Sequence, residues 1–289
     1  MQYLADHRAR LREDPRLLMP SARSVLCLGK LYKTKSIQGP ISNYAWGAGD
    51  YHDTLRAGLE RLAAALQAEC GPFEFKICVD TAPLLERAIA SAAGLGWIGK
   101  NTCLINEQTG SWYFLGELLV SLELPPDAPP PDRCGTCTAC LDACPTQALT
   151  PYSLDARRCI SYHTIELKGS IPEEFRAPMG GHVFGCDICQ DVCPWNTRAP
   201  ATTEPAFQPI DNAPALEEMT AMTAEEFRAR FRRTPVWRTK HEGFLRNVAI
   251  AMGNSSEARF GSALDRLSRH ESPVVAEHAR WGLQRLSSS

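Results

Sequence analysis

Several things are missing from this 289-residue sequence, and each absence narrows the reading. No apolar run approaches the roughly 20 residues that a membrane-spanning helix requires, so no membrane role is expected. The opening residues Met1-Gln2-Tyr3-Leu4-Ala5-Asp6-His7-Arg8 contain no apolar stretch of the kind that forms a secretory leader. Charge of one sign is not in excess: the formal net charge is −2, so the chain as a whole does not advertise a polyanionic partner. Charged residues make up 22% and hydrophobic residues 44%, as in ordinary globular proteins. A phosphate-binding loop is also lacking. Gly94 to Lys100 fits the opening of that motif, but Asn101 stands where a Ser or Thr must hold magnesium, and the segment follows a helix pattern rather than a strand. Its glycines read as a helix C-cap and a tight turn. His52 and His163 stand without a second ligand at metal spacing.

Cysteine is what the chain has in quantity. Eight of its twelve cysteines lie between Cys134 and Cys193. The first four read C-x2-C-x2-C-x3-C-P, ending at Pro145. This is the bacterial ferredoxin spacing, in which three thiolates hold one [4Fe–4S] cluster and the fourth reaches across to a second. A return run follows as Cys186-x2-Cys189-x3-Cys193-Pro194, and Cys159 completes the bookkeeping. Cluster one is therefore expected on Cys134, Cys137, Cys140 and Cys193, and cluster two on Cys144, Cys159, Cys186 and Cys189. Zinc would account for C-x2-C pairs but leaves eight thiolates and two C-P ends overspecified. A disulfide scaffold suits a short secreted chain, not this length. Thiols of this kind point to a reducing cytoplasm. Cys27, Cys70, Cys78 and Cys103 read as small buried or surface thiols.

Around this centre the chain divides into three. Residues 1–124 read as an α/β domain. A polar helix over 1–20 precedes a strand over Ser24–Tyr32, and Asp50 caps a helix with Leu55, Leu59, Leu62 and Leu66 on one face. Phe73–Val79 reads as a strand, and a helix begins at Pro83. Strands over 102–106 and 112–122 are expected to join through the Thr109-Gly110 turn. A proline-rich connector leads into the cluster domain, 125–200. Residues 201–289 form a linker that wraps the surface and then helices starting near Thr223, Gly243, Ala258 and Pro273. Their short antiparallel arrangement resembles one HEAT-like unit.

Two further features carry chemistry. Asp80 follows an apolar strand and precedes a helix. Strand ends in α/β domains bind ligands, but an Asp there also caps helices, and position leaves both readings open. A carboxyl buried beside a large cofactor would have a raised pKa and could donate a proton. Glu86 and Arg87 read as a solvated helix face. Arg228 to Arg246 carries seven basic residues and one acid, interleaved with Trp237 and Phe244. Arg232, Arg233, Arg238, Lys240 and Arg246 fit phosphate neutralisation with aromatics stacking on bases, or equally a solvated face.

VDTAPLLERAIASAAGLGWIGKNT (79–102), CGTCTACLDACPTQAL (134–149), DARRCISYHTIELKGSIP (155–172), FGCDICQDVCPWN (184–196) and FLRNVAIAMGN (244–254) together resemble epoxyqueuosine reductases, in order and over nearly the whole chain. The resemblance implies an α+β multidomain enzyme: a cobalamin-binding α/β domain, a ferredoxin-like domain with two [4Fe–4S] clusters, and C-terminal HEAT-like helices that contact tRNA. It implies reduction of epoxyqueuosine to queuosine at the wobble position of tRNA anticodons, with cobalamin fed from the clusters by an external low-potential electron donor. Asp80 matches the family's proton donor in the V-D-[TS] motif. Lys100 and Ser161 become candidate corrin contacts, and a monomer is expected. Typical members extend further ahead of Met1, which bears on sheet completeness. The related corrinoid reductive dehalogenases share the first two parts, and a non-catalytic iron–sulfur electron carrier is the rival from another class.

Overall fold

The computed structural model describes residues 8–34, 39–47, 49–209 and 214–288. The first seven residues of the expected opening helix lie outside these; within them the chain makes short 3₁₀ turns at Arg10–Arg12 and Pro15–Leu17. β1 (Ser24–Leu31) follows, then α1 (Tyr51–Cys70), β2 (Phe75–Cys78), α2 (Glu86–Ala92), β3 (Trp97–Ile98), β4 (Leu104–Ile105) and β5 (Tyr113–Val120). The main sheet has the order β1-β5-β2 and both pairings are antiparallel. The long connections through α1 and α2 therefore do not build a parallel α/β sheet. β4 turns back on β3, with Trp97 opposite Ile105, instead of forming a hairpin with β5. The Thr109-Gly110 turn closes on Asn106.

Asp50 caps α1, its carboxylate accepting from His52 N–H at 3.0 Å. The apolar face of α1, Leu55 and Leu59, covers one side of β5, where Gly116 leaves room: a Cβ there would lie 3.0 Å from Leu59 and 3.1 Å from Leu55. α2 covers the other side and begins three residues later than the proline suggested. Residues 80–85 are taken up by tight turns, with Thr81 N–H donating to Val79 O and Leu84 N–H to Ala82 O. The first turn of α2 has no side-chain cap. Asp80 is thus not a helix cap. Gly94, at φ +84, ends α2 in the left-handed turn that glycine adopts without a Cβ penalty.

The cluster region contains α3 (Ala139–Asp142), the two-residue strands β6 (Leu149–Thr150) and β7 (Ser153–Leu154), α4 (Glu173–Arg176) and α5 (Ile188–Asp191), with a π-helical segment at Tyr162–Glu166. α6 (Leu216–Ala221), α7 (Ala224–Phe231), α8 (Lys240–Asn254), α9 (Gly261–Leu267) and α10 (Pro273–Ser287) complete the chain. Ten consecutive residues of α8, Phe244 to Gly253, are buried, so this helix is a central post packed on all sides. α10 lies close along it because Gly253 meets Gly282; a Cβ on Gly253 would sit 2.6 Å from the Gly282 Cα. The apolar cores cross the three-part division. Ile41 and Ala45 from the first part and Ile165, Val183 and Phe184 from the second join the core of the last helices. The 198–209 stretch does more than wrap the surface, because Ala199 and Phe207 pack into the core of the main sheet.

Candidate functional site

α3 and α5 pack against each other and bring the two cysteine runs together. A cavity of about 230 Å³ opens there, and Cys134, Cys137, Cys140 and Cys193 line it with Lys100, Arg133 and Trp195. Among the described residues no three His, Cys, Asp or Glu converge as ligands of one ion. Cys144, Cys159, Cys186 and Cys189 form a second set within electrostatic reach of one another. All twelve cysteines are free thiols. Burial pushes Cys186 up to about 12 and Cys140 up to about 11. Such thiols ionise when cluster iron supplies positive charge beside them, so the donor set fits two iron–sulfur centres.

The Gly94–Asn101 stretch serves these loops. Lys100 Nζ donates to Gly135 O at 2.7 Å and to Cys137 O at 2.9 Å. Asn101 Nδ2 donates to Cys189 O at 3.0 Å, and its Oδ1 accepts from Cys103 N–H. One lookalike of a phosphate loop therefore clamps both cysteine runs, and Lys100, a candidate corrin contact, stands at a cluster loop. Ser161 faces the Cys159 thiol through its N–H and hydroxyl, which favour the thiolate against burial. Cys103, read as a plain thiol, is a neighbour of Cys189.

Asp80 stands just past the end of β2, at φ +47, a left-handed conformation uncommon for a residue with a side chain. Its side chain is 43% exposed. His52 links it to the start of α1, with Nε2 3.3 Å from Asp80 Oδ2 and Nδ1 2.5 Å from Asp50 Oδ1. The hydrogen bond to Asp50, then the one to Asp80, raises His52 to about 9. The His52 hydrogen bond in turn holds Asp80 below its ordinary value. Asp80 is thus an ionised carboxylate beside an imidazolium, the opposite of the raised carboxyl expected from burial. Glu86 is not on a solvated face, because its Oε1 accepts Asp80 N–H at 2.5 Å. Sequence reasoning passed over His52 for want of a second metal ligand. The available signal was its place two residues after a helix-capping Asp.

Two family profiles match this chain: a 4Fe-4S double cluster binding domain over residues 133–196, and epoxyqueuosine reductase QueG, DUF1730, over residues 12–81. The epoxyqueuosine reductase of Xanthomonas campestris pv. campestris is 44% identical over 98% of this chain and 83% of its own length. That of Pseudomonas aeruginosa is 46% identical over 99% and 82%. A solved epoxyqueuosine reductase with a tRNA-Tyr epoxyqueuosine-modified stem loop superposes with a TM-score of 0.87 at 33% identity, covering 96% of this chain and 77% of that one. Another, from Bacillus subtilis with its catalytic aspartate loop swung out of the active site, gives 0.87 at 32%. The chain belongs to the epoxyqueuosine reductase family.

Within an epoxyqueuosine reductase the basic segment has to be divided. Arg232, Arg233, Arg238 and Lys240 are exposed. Arg238 pairs with Glu166 at 2.7 Å, and the Lys240 ammonium lies over the Trp237 ring at 4.2 Å. Arg246 belongs elsewhere, which corrects its assignment to tRNA. It is 1% exposed and donates to the carbonyls of His163, Leu167 and Gly169. Those carbonyls end the π-helical segment after Cys159, where helix geometry leaves them without partners. Asn247 beside it donates to Thr164 O and Val183 O. Phe244 is fully buried and cannot stack on a base.

Proposed function

We propose that this chain reduces the epoxide of epoxyqueuosine to the alkene of queuosine at the wobble position of a tRNA anticodon. The observation that carries this is likeness along 96% of the chain to a relative holding an epoxyqueuosine-modified stem loop. The reaction consumes two electrons and two protons, and the epoxide oxygen leaves as water. The two thiol sets suit one-electron carriers, reloaded by an external low-potential donor. Cobalamin is the cofactor we propose beside them; when bound, it would supply reducing power at the epoxide. Half-exposed Asp80 and Ser161 are the residues proposed to face it.

Asp80 is the proposed acid for the departing oxygen, with His52 behind it. The imidazolium holds a proton on the hydrogen bond to Asp80, and as negative charge grows on the substrate oxygen the proton can move outward through the carboxyl group. Asp50, fixed as the cap of α1, orients the ring. The exposed Arg232, Arg233, Arg238 and Lys240 are proposed to meet tRNA phosphates, on helices read as one HEAT-like unit. A cytoplasmic monomer is the proposed working form; among the described residues no helix is long and apolar enough to cross a membrane.

Mass spectrometry of tRNA nucleosides tests the function. A strain lacking its own epoxyqueuosine reductase accumulates epoxyqueuosine; supplying this chain should convert it to queuosine. Unchanged epoxyqueuosine with the protein present and iron-loaded rejects the assignment. Retention of a corrin absorption band through gel filtration after anaerobic incubation with hydroxocobalamin tests the cofactor.

A further inference from the structure

Beneath the Asp80 loop lies a pair of acids with no part in the scheme above. Glu117 sits mid-strand in β5, in register with Cys27 on β1 and Cys78 on β2. It is fully buried, and neither carboxyl oxygen meets a hydrogen-bond donor among the described residues. An ionised carboxylate is costly in such a place. The Glu86 carboxyl, at the start of α2, comes within hydrogen-bonding reach of it. Glu86 Oε1 also accepts the Asp80 N–H at 2.5 Å. The backbone group that holds the left-handed Asp80 is therefore tied to one member of the acid pair.

We propose that Glu86 and Glu117 hold one proton between them and that this pair latches the Asp80 loop in place. Glu117 O–H donates to Glu86, and Glu86 Oε1 receives Asp80 N–H. Both acids are positioning residues; neither touches the substrate. The proposal rests on the reading of Asp80 as the proton donor. Burial is the largest cause raising both acids, with the Asp80 charge adding to Glu86 and the Glu86 charge to Glu117, so the shared proton persists at neutral pH. The surroundings do not offset this. Cys27 from β1 and Cys78 from β2 are themselves pushed up by burial first and then by Glu117. From α1, Tyr51 faces the pair as a neutral phenol, and His52 contributes the neighbouring positive charge. Loss of the shared proton leaves two like charges side by side in a buried site, which drives Glu86 off and frees the loop.

The test uses full-length, cluster- and cobalamin-loaded protein with modified tRNA. Single-turnover rates of wild type and Glu117→Gln are compared from neutral to alkaline pH. The glutamine amide donates to Glu86 at every pH, so Glu117→Gln should outpace wild type by about tenfold for each pH unit beyond the pair's titration. tRNA affinity should stay the same. His52 titrates in both proteins, so the difference isolates the pair. Infrared spectra at neutral pH should show a protonated-carboxyl band that persists in Asp80→Asn and disappears in Glu117→Gln. If Glu117→Gln does not fold, Glu86→Gln should shift the band without abolishing it, because Glu117 keeps its proton and donates to the glutamine carbonyl instead of a carboxylate. Superimposable pH–rate profiles, a band that survives Glu117→Gln, or a band left unshifted by Glu86→Gln overturn the proposal. Failure of the donor reading shows separately, as wild-type-like turnover by Asp80→Asn, while the band still decides whether the pair shares a proton.

Discussion

The cluster region and the C-terminal helices hold themselves together by opposite means. α3 and α5 are four residues long, and the loops around them depend on Lys100 and Asn101 reaching carbonyls and on the bridging that iron would give. α8 and α10 run fifteen residues each and bury apolar surface on each other. Short helices contribute little by themselves, because nucleating a helix costs more than a few hydrogen bonds return. One region therefore leans on its cofactor and the other on its core. They meet at Arg246 and Asn247, where side chains from the core helix finish the backbone hydrogen bonding of the segment that follows Cys159.

The largest effect should come from breaking the first region. Cys134→Ser or Cys186→Ser should lower bound iron and abolish turnover, while the helical circular dichroism persists and residues 240–287 resist protease. Full iron content with normal turnover would dissolve the contrast. Asp80→Asn comes next. Turnover should fall by about 10²–10⁴-fold, the usual contribution of a positioned acid, with iron content and tRNA affinity retained.

Arg246→Ala probes the junction. It leaves one buried and two partly buried carbonyls without their donor and should cost about 3 kcal/mol in denaturant unfolding. Arg238→Ala, at the surface and close by in sequence, should stay within about 0.5 kcal/mol while weakening tRNA binding in a salt-dependent way. Equal stability losses would erase the distinction between the two arginines.

A pH dependence at His52 should be smaller than the loss from Arg246→Ala. Asp50 and Asp80 raise it to about 9 from a model-peptide value of 6.5. A raised histidine stabilises fully below its unfolded pKa and loses that contribution as pH rises through the folded one. The free energy of unfolding should therefore drop between pH 6.5 and 9 by more in wild type than in His52→Gln, by about 1 kcal/mol after solvent screening. Parallel pH profiles would mean that the ring is not held as an imidazolium.

The parts differ in how far they could be read from the chain. C-x2-C spacing is set by the geometry of one loop on one cluster, so the residues that matter are neighbours in sequence. The capped start of α1 and the capping box at Thr223 are local in the same way. The proton site is different. Asp50, His52, Asp80, Glu86 and Glu117 come from two helices, one strand and a turn, and none of these carries a spacing that names the others. The sheet misled for a related reason: the Thr109-Gly110 turn suggested that β5 would join the strand just before it, but β5 inserted between β1 and β2 and ran against both. Arg246 looked basic and therefore exposed, because composition cannot distinguish a cation facing water from one surrounded by carbonyl oxygens.

By itself, the sequence determined the cysteine framework, the run of helices after residue 223 and the placing of an aspartate just past an apolar strand, because local spacing, caps and apolar periodicity act within a few residues. Tertiary structure decided the charge state of that aspartate, the partner beneath it and the inward turn of Arg246. Each of those depends on the field and hydrogen bonds of groups distant in the chain, which come together when the cores close.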